Sequence, residues 1–343
     1  MKTEMIHAAE RIDLKLMECV QGERCSVCGG SSAGFRTFAE VRGWHYARCE
    51  GCGLVFLDPC PTLLLLEQYY NAFYRIDIRQ YRRSVDQQKQ RLLSLVGRYR
   101  KPPGRLLEVG CSYGYFLAAA REVGWQVEGI ELSREAAVLA EREQGIRIVG
   151  GTLEDAKGSA SGPYDVIVAW HVIEHLTDPC QFLREAFDLL APGGTLALRT
   201  PNLSSAVAKL AGVNWEWLSP PDHIYLFDPG TLGAALSRCG FESVQSTTAR
   251  GDASNPCYEI LRSWGRSLFL RQTNTQQFSI PVPQPRRFAN RGWYRATKRS
   301  IEMISRPLDW SLWPWLADVG KEAEVVMVSR KPAGRKLLED RSA

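Results

Sequence analysis

The 343-residue sequence has no apolar run approaching the roughly 20 residues that a membrane-spanning helix needs, which excludes a helical membrane protein. It has no large excess of either charge: 43 Lys and Arg against 38 Asp and Glu leave a net +5, too mild to mark a nucleic-acid binder. The opening stretch, MKTEMIHAAERIDLKLMECV, interleaves charges with apolar residues and contains no signal-peptide core, so the expected location is cytoplasmic. There is no internal repeat. Hydrophobic residues make up 45% of the chain and charged residues 24%, a balance that argues against wholesale disorder. The length allows one large or two modest domains.

What is present begins with cysteine. In a cytoplasmic setting the ten cysteines are expected as metal ligands or free thiols instead of disulfides. Four of them form a pattern: RCSVCGG holds Cys25 and Cys28, and RCEGCGL holds Cys49 and Cys52. Two C-x2-C pairs at this separation have the spacing of a zinc ribbon. Gly29 and Gly53 follow the pairs and permit the tight knuckle turns. With four thiolates as ligands no coordination position is left for a catalytic water, so the expected zinc is structural. The ribbon is assigned to residues 1–60. Residues 61–103, rich in leucine and tyrosine and then helically spaced (Leu92, Leu93, Leu95, Val96), read as a helical linker or cap that ends at Pro102, Pro103 and Gly104.

From Gly104 short apolar runs alternate with helical patterns: RLLEVG, CSYGYFLAAAREVG, WQVEGIE, SREAAVLAEREQG, IRIVGG, YDVIVAW, DPCQFLREAFDLLAPGG and TLALRT. This alternation predicts an α/β fold with a parallel sheet covered on both faces, and a ligand at the carboxyl ends of its strands. The helix that follows Asp178 is expected to run to the Pro-Gly-Gly at 192–194. FESVQSTTAR and EAEVVMVSRKP are expected as an antiparallel final pair, closing a domain over 104–332 that holds an insertion at 251–320. Residues 333–343 read as a tail.

The loop leaving the first strand is EVGCSYG, Glu108 to Gly114. Gly110 and Gly114 permit close backbone approach, and Glu131 ends the second strand, where a carboxylate can accept both hydroxyls of a ribose. A dinucleotide site would prefer G-x-G-x-x-G, with the pyrophosphate on the helix N-terminus. Here Ser112 replaces the middle glycine and Glu108 places negative charge ahead of the loop. That suits a ligand with an ammonium group and no phosphates, and S-adenosylmethionine fits.

EVGCSYG, GIEL, GTLEDA, AWHVIEHLTDP and LAPGGTLALRTPN stand in the order found in class I S-adenosylmethionine-dependent methyltransferases, and the chain resembles that family over about residues 22–249 plus the final strand. The CxxCGLVFLDP wording is similar to a group with an N-terminal zinc ribbon. The resemblance implies a Rossmann-like seven-stranded methyltransferase sheet with that ribbon and a helical insertion before the last strand. It implies cofactor contacts at Glu108, Gly110, Cys111 and Gly114, the ribose on Glu131, adenine near Leu132, Leu153 and Glu154, and a floor of Trp170 and His171. Asp155 competes with Glu154 for the adenine.

HVIEH, His171 to His175, has the H-x-x-E-H spacing of a zinc-protease signature. Its place after a buried parallel strand favours a cofactor-lining role for His171 and a bracing role for Glu174 and His175, with a weak metal site as the alternative. On the acceptor side, the segment after the fifth strand contains Trp215, Trp217 and the run Asp222-His223-Ile224-Tyr225. His223 is the candidate general base, because a histidine titrates near neutrality, and Tyr225 the second candidate. The insertion, rich in Trp and Arg, reads as a lid over the acceptor site or as a surface for peripheral membrane contact. The expected function is methylation, at oxygen, of a small molecule or saccharide. The alternatives are an RNA methyltransferase and a non-catalytic cofactor-binding scaffold. Against RNA, basic and acidic residues alternate through the ribbon and leave no basic stripe.

Overall fold

The computed structural model describes residues 19–66, 69, 78–159, 161–249 and 323–334. The insertion at 251–320, with both readings of it, lies outside the described residues, as does most of the tail. The main body is a seven-stranded sheet. Its strands are β6 (Gly104–Val109), β7 (Trp125–Ile130), β8 (Arg147–Gly150), β9 (Tyr164–Trp170), β10 (Leu190–Pro201), β12 (Glu242–Ala249) and β13 (Glu324–Arg330). Their order is β12-β13-β10-β9-β6-β7-β8. From β8 to β10 all pairings are parallel, and β13 runs antiparallel to both β10 and β12. The central strands read as nearly unbroken apolar runs because helices cover both faces. Leu106, Leu107, Ile167, Val168, Leu196 and Leu198 are fully buried.

The helices are α1 (Ile78–Tyr99), α2 (Tyr115–Glu122), α3 (Arg134–Gln144), α4 (Leu153–Ala156), α5 (Pro179–Leu189), α6 (Ala206–Ala211) and α7 (Pro229–Arg238). Ser133 caps α3 by accepting from the Ala136 amide, and Asp178 caps α5 through the Gln181 amide with Pro179 at the first helical position. The sequence expectation that α5 runs to the Pro-Gly-Gly fails. The helix stops at Leu189, and Leu190 already pairs with Tyr164 before an irregularity carries the strand to Thr195. Gly193, at φ +76°, turns the chain inside this bulge.

A second sheet, in the order β11-β4-β3-β2, is built from β2 (Phe35–Val41), β3 (Trp44–Cys49), β4 (Val55–Leu57) and β11 (Tyr225–Leu226). Beside it β1 (Cys19–Val20) pairs with β5 (Cys60–Pro61). The division of the sequence at residue 60 does not anticipate that β11 comes from the segment after β10. It pairs antiparallel with β4, Tyr225 opposite Phe56 and Leu226 opposite Val55. The reason is physical: without β11 the outer edge of the apolar β4 would present unpaired backbone groups.

Candidate active site

The ends of β6 and β9, adjacent strands whose connections leave in opposite directions, mark the switch point of the sheet, where ligands bind in folds of this kind. Gly110 leaves β6 at φ +72°, and a Cβ there would stand 2.7 Å from Val172 Cγ2. Only glycine fits that approach between the loop and HVIEH. Ser112 also takes a left-handed backbone, at φ +49°. The Glu131 carboxylate accepts from the Ser112 amide at 2.7 Å and the Ser133 amide at 2.8 Å, so it ties the loop to the end of β7. Glu108 is 4% exposed, and burial followed by the nearby Glu131 charge pushes its carboxyl well above the usual range. Its Oε2 has no hydrogen-bond partner among the described residues, nor have Ser112 Oγ and Trp170 Nε1. Buried polar atoms of this kind suit a polar ligand, and a ligand ammonium would give Glu108 a partner and favour its ionised form.

Cys111 is buried with its thiol against Gly129, so its backbone faces the loop. Leu132 is 58% exposed beside Gly151, while Leu153 is buried in the core. Asp155 is engaged in a capping box with the Thr152 amide and hydroxyl, and the neighbouring Glu154 is exposed. Trp170 packs edge-on against Phe116 with ring centroids 6.2 Å apart.

HVIEH does not form the helix a zinc protease needs. His171 sits at φ +54° with its amide bonded to Arg199 O, and only Ile173–His175 turn, as a 3-10 helix. His171 Nδ1 meets Glu174 Oε1 at 3.2 Å and its Nε2 meets Glu324 Oε1 at 3.1 Å. The other oxygen of Glu324 is held by Arg199, and that of Glu174 accepts from the Thr200 hydroxyl at 2.9 Å. His175 Nδ1 faces Asp222 Oδ1 at 3.1 Å. Burial opposes charge on both histidines, but the carboxylates outweigh it and hold His171 at about 10 and His175 at about 9. Glu174, although burial works against its ionisation, is drawn down to about 2, first by the His171 hydrogen bond.

His223 behaves oppositely. It is 3% exposed, and burial, then the positive charge of His175, depress it to about 4. It is therefore neutral at pH 7, and its Nδ1 has no partner among the described residues. Trp217 stacks on His223 at 5.2 Å and on His171 at 5.7 Å. The structure thus brings His171, Glu174, His175 and His223 together: donor atoms of the last three lie within 4.8 Å of one another. Tyr225 is elsewhere engaged. Its hydroxyl donates to Thr177 O at 3.3 Å and its ring lies between Phe56 and Phe227. Glu324, Arg199 and Thr200 escaped the sequence reading. The signal available for Arg199 and Glu324 was a charge beside the apolar runs LAL and VVMV.

The four sulfurs of Cys25, Cys28, Cys49 and Cys52 also cluster within 4.8 Å. Cys25 and Cys52 Sγ are 3.6 Å apart, and Cys28 and Cys49 Sγ 3.5 Å. Tetrahedral zinc with metal–sulfur bonds of about 2.3 Å requires sulfur separations of about 3.8 Å, so the cage fits. Gly29 and Gly53 turn the knuckles at φ +74° and +81°.

The methyltransferase-domain family model matches residues 79–246. Among curated relatives, the ubiquinone biosynthesis O-methyltransferase of Caulobacter sp. (strain K31) is 32% identical over 174 residues, 48% of this chain and 67% of that protein. The enzyme of the same name from Xanthomonas campestris pv. campestris (strain B100) is 33% identical over 134 residues, 38% of this chain and 56% of that protein. The chain therefore spans between about half and two thirds of these relatives. Among solved structures, Haemonchus contortus phosphoethanolamine N-methyltransferase 2 in complex with S-adenosyl-L-methionine shares the fold at 15% identity and a TM-score of 0.50, covering 81% of this chain and 63% of that one.

Proposed function

Because the chain belongs to the class I S-adenosylmethionine-dependent methyltransferases, we propose that it methylates a hydroxyl oxygen of a small-molecule or saccharide acceptor, with His223 as general base. The observation that carries the reading is His223 itself: a buried, neutral imidazole whose Nδ1 has no partner among the described residues, in a cluster where the neighbouring histidines are charged. The O-methyltransferase relatives support oxygen as the acceptor atom. Bound S-adenosylmethionine supplies a sulfonium-held methyl group for in-line displacement.

The chain's own residues bind and orient. Glu108 takes the ammonium, the Gly110 to Gly114 backbone lies along the amino-acid portion, and Glu131 takes the ribose hydroxyls. Leu132, exposed beside Gly151, offers a face to the adenine, and Glu154 is its polar partner. Trp170 and His171 close the floor. His223 Nδ1 receives the acceptor proton as the oxygen–carbon bond forms. A base held near 4 takes that proton only as the hydroxyl is losing it, and Glu174 lies close enough to steady the resulting imidazolium. The four cysteines hold one structural zinc. Within the ribbon Arg36 pairs with Glu50 at 3.0 Å, which speaks against a basic nucleic-acid stripe. No helix among the described residues is long and apolar enough to cross a membrane.

The test is a panel of hydroxylated small molecules and saccharides with methyl-labelled S-adenosylmethionine, run on wild type and His223→Ala. His223→Ala should lower kcat by about 10²–10⁴ with cofactor affinity intact. Near-normal turnover would leave the reaction to alignment alone.

A further inference from the structure

The ribbon meets the acceptor side of the site through strand pairing and one buried side-chain hydrogen bond. β4 begins three residues after Cys52, and Cys49 N donates to Leu54 O at 2.9 Å, so the second knuckle runs directly into that strand. The other edge of β4 carries β11, and Leu57 N donates to Ile224 O at 2.9 Å. Tyr46, in β3 opposite Leu57, has no exposed surface, and its hydroxyl donates to His223 O at 2.7 Å. From the other side Ile224 N donates to Glu174 O at 2.8 Å. The segment His223–Leu226 is therefore clamped between the ribbon and HVIEH. α7 packs on the knuckles as well: a Cβ at Gly29 would stand 3.2 Å from the Arg238 guanidinium, and one at Gly53 4.0 Å from the Thr231 methyl.

We infer that the zinc ribbon is a built wall of the acceptor site, that Tyr46 is a positioning residue for His223, and that metal in the four-cysteine cage keeps His223–Leu226 in register. The inference rests on the zinc and His223 roles proposed above. The cage joins residues 25–28 to residues 49–52, and metal binding in such knuckles is itself folding energy. Loss of the metal loosens the start of β4. With β4 go the Leu57 amide and the neighbouring Tyr46 hydroxyl, the two ribbon donors that reach residues 223 and 224. The cofactor loop, held by Glu131 and the β6–β7 pairing, has no such dependence.

The experiment uses the full chain in four states: as purified, stripped by a chelator, stripped and reloaded with zinc alone, and as Tyr46→Phe. Three quantities are read: amide hydrogen exchange over 219–227 and over 104–131, S-adenosylmethionine affinity by calorimetry, and the imidazole NMR signal of His223, assigned by its loss in His223→Gln. Stripping should speed exchange over 219–227 by about tenfold or more, with 104–131 and the cofactor Kd unchanged, and zinc should reverse it. Tyr46→Phe should keep its zinc, raise exchange at 223–226 about fivefold, the cost of one hydrogen bond, and move the His223 signal against the Trp217 ring while leaving His45 in place. Unchanged exchange over 219–227 after verified metal loss would overturn the inference. If stripping unfolds the chain, Tyr46→Phe decides, and a His223 signal and exchange pattern identical to wild type would overturn it equally. A normally active His223→Gln would instead overturn the base assignment and leave these exchange results standing.

Discussion

Glu131 gives the sharpest test of the cofactor site. Its two oxygens each hold one loop amide, Ser112 at 2.7 Å and Ser133 at 2.8 Å, and each keeps acceptor capacity for a ribose hydroxyl. A hydrogen bond to a charged acceptor is worth about 1.5–3 kcal/mol net, so two of them bound the loss in Glu131→Ala at about 3–6 kcal/mol. Because the charge is already shared with two amides, the lower end applies, about 3 kcal/mol or roughly 150-fold in Kd. From micromolar binding in the wild type, the variant should fall to about 0.1–0.2 mM. Glu131→Gln keeps one carbonyl acceptor without the charge and should lose about tenfold. Calorimetry with S-adenosylmethionine and with S-adenosylhomocysteine checks this, and the loss should match for both, since they share the ribose and differ at sulfur. A Glu131→Ala variant that binds within threefold of wild type would refute the ribose assignment.

Elemental analysis of the purified chain should give one equivalent of zinc, absent from Cys25→Ser and Cys52→Ser. A second equivalent that disappears in His175→Ala or His171→Ala would turn the acid–histidine cluster into a metal site. Gly110→Leu should abolish cofactor binding, because the side chain collides with Val172 in a backbone region that favours glycine; retained binding would move the cofactor off this loop. Stability should depend on pH at both ends. His171 rises from 6.5 unfolded to about 10 folded, so its contribution is full below about 6.5 and lost as pH rises through about 10. Glu174 falls from 4.5 to about 2, so its contribution is full above about 4.5 and lost as pH falls toward 2. Melting temperatures followed across pH should show both limbs, and Glu174→Gln should flatten the acid one.

The parts of this molecule written in local sequence were legible. Cys25, Cys28, Cys49 and Cys52 announce a four-cysteine cluster by spacing, and the alternation of strands and helices announces the sheet. What was not legible depends on partners far apart in the chain. Glu324 reaches Arg199 across 125 residues, and Tyr46 reaches His223 across 177. No periodicity encodes such pairings. The early end of α5 was hidden for another reason: Leu190 continues the apolar pattern of the helix, but its backbone is claimed by Tyr164. The left-handed backbone of His171 was equally invisible, since the Arg199 carbonyl, the two carboxylates on its ring and the stacked Trp217 hold it there.

The position of β13 governs when this protein can work. Although the last strand among the described residues, it lies inside the sheet between β10 and β12, and its first residue, Glu324, supplies the counter-charge for both Arg199 and His171. A nascent chain that has emerged only as far as β12 has its glycine loop and all of HVIEH, yet neither cation has its Glu324 partner and the inner edges of β10 and β12 are bare. The candidate site is thus completed only when residues 324–330 have joined the sheet. A product cut short before Glu324 would display the glycine loop on a sheet whose β10 and β12 edges cannot meet.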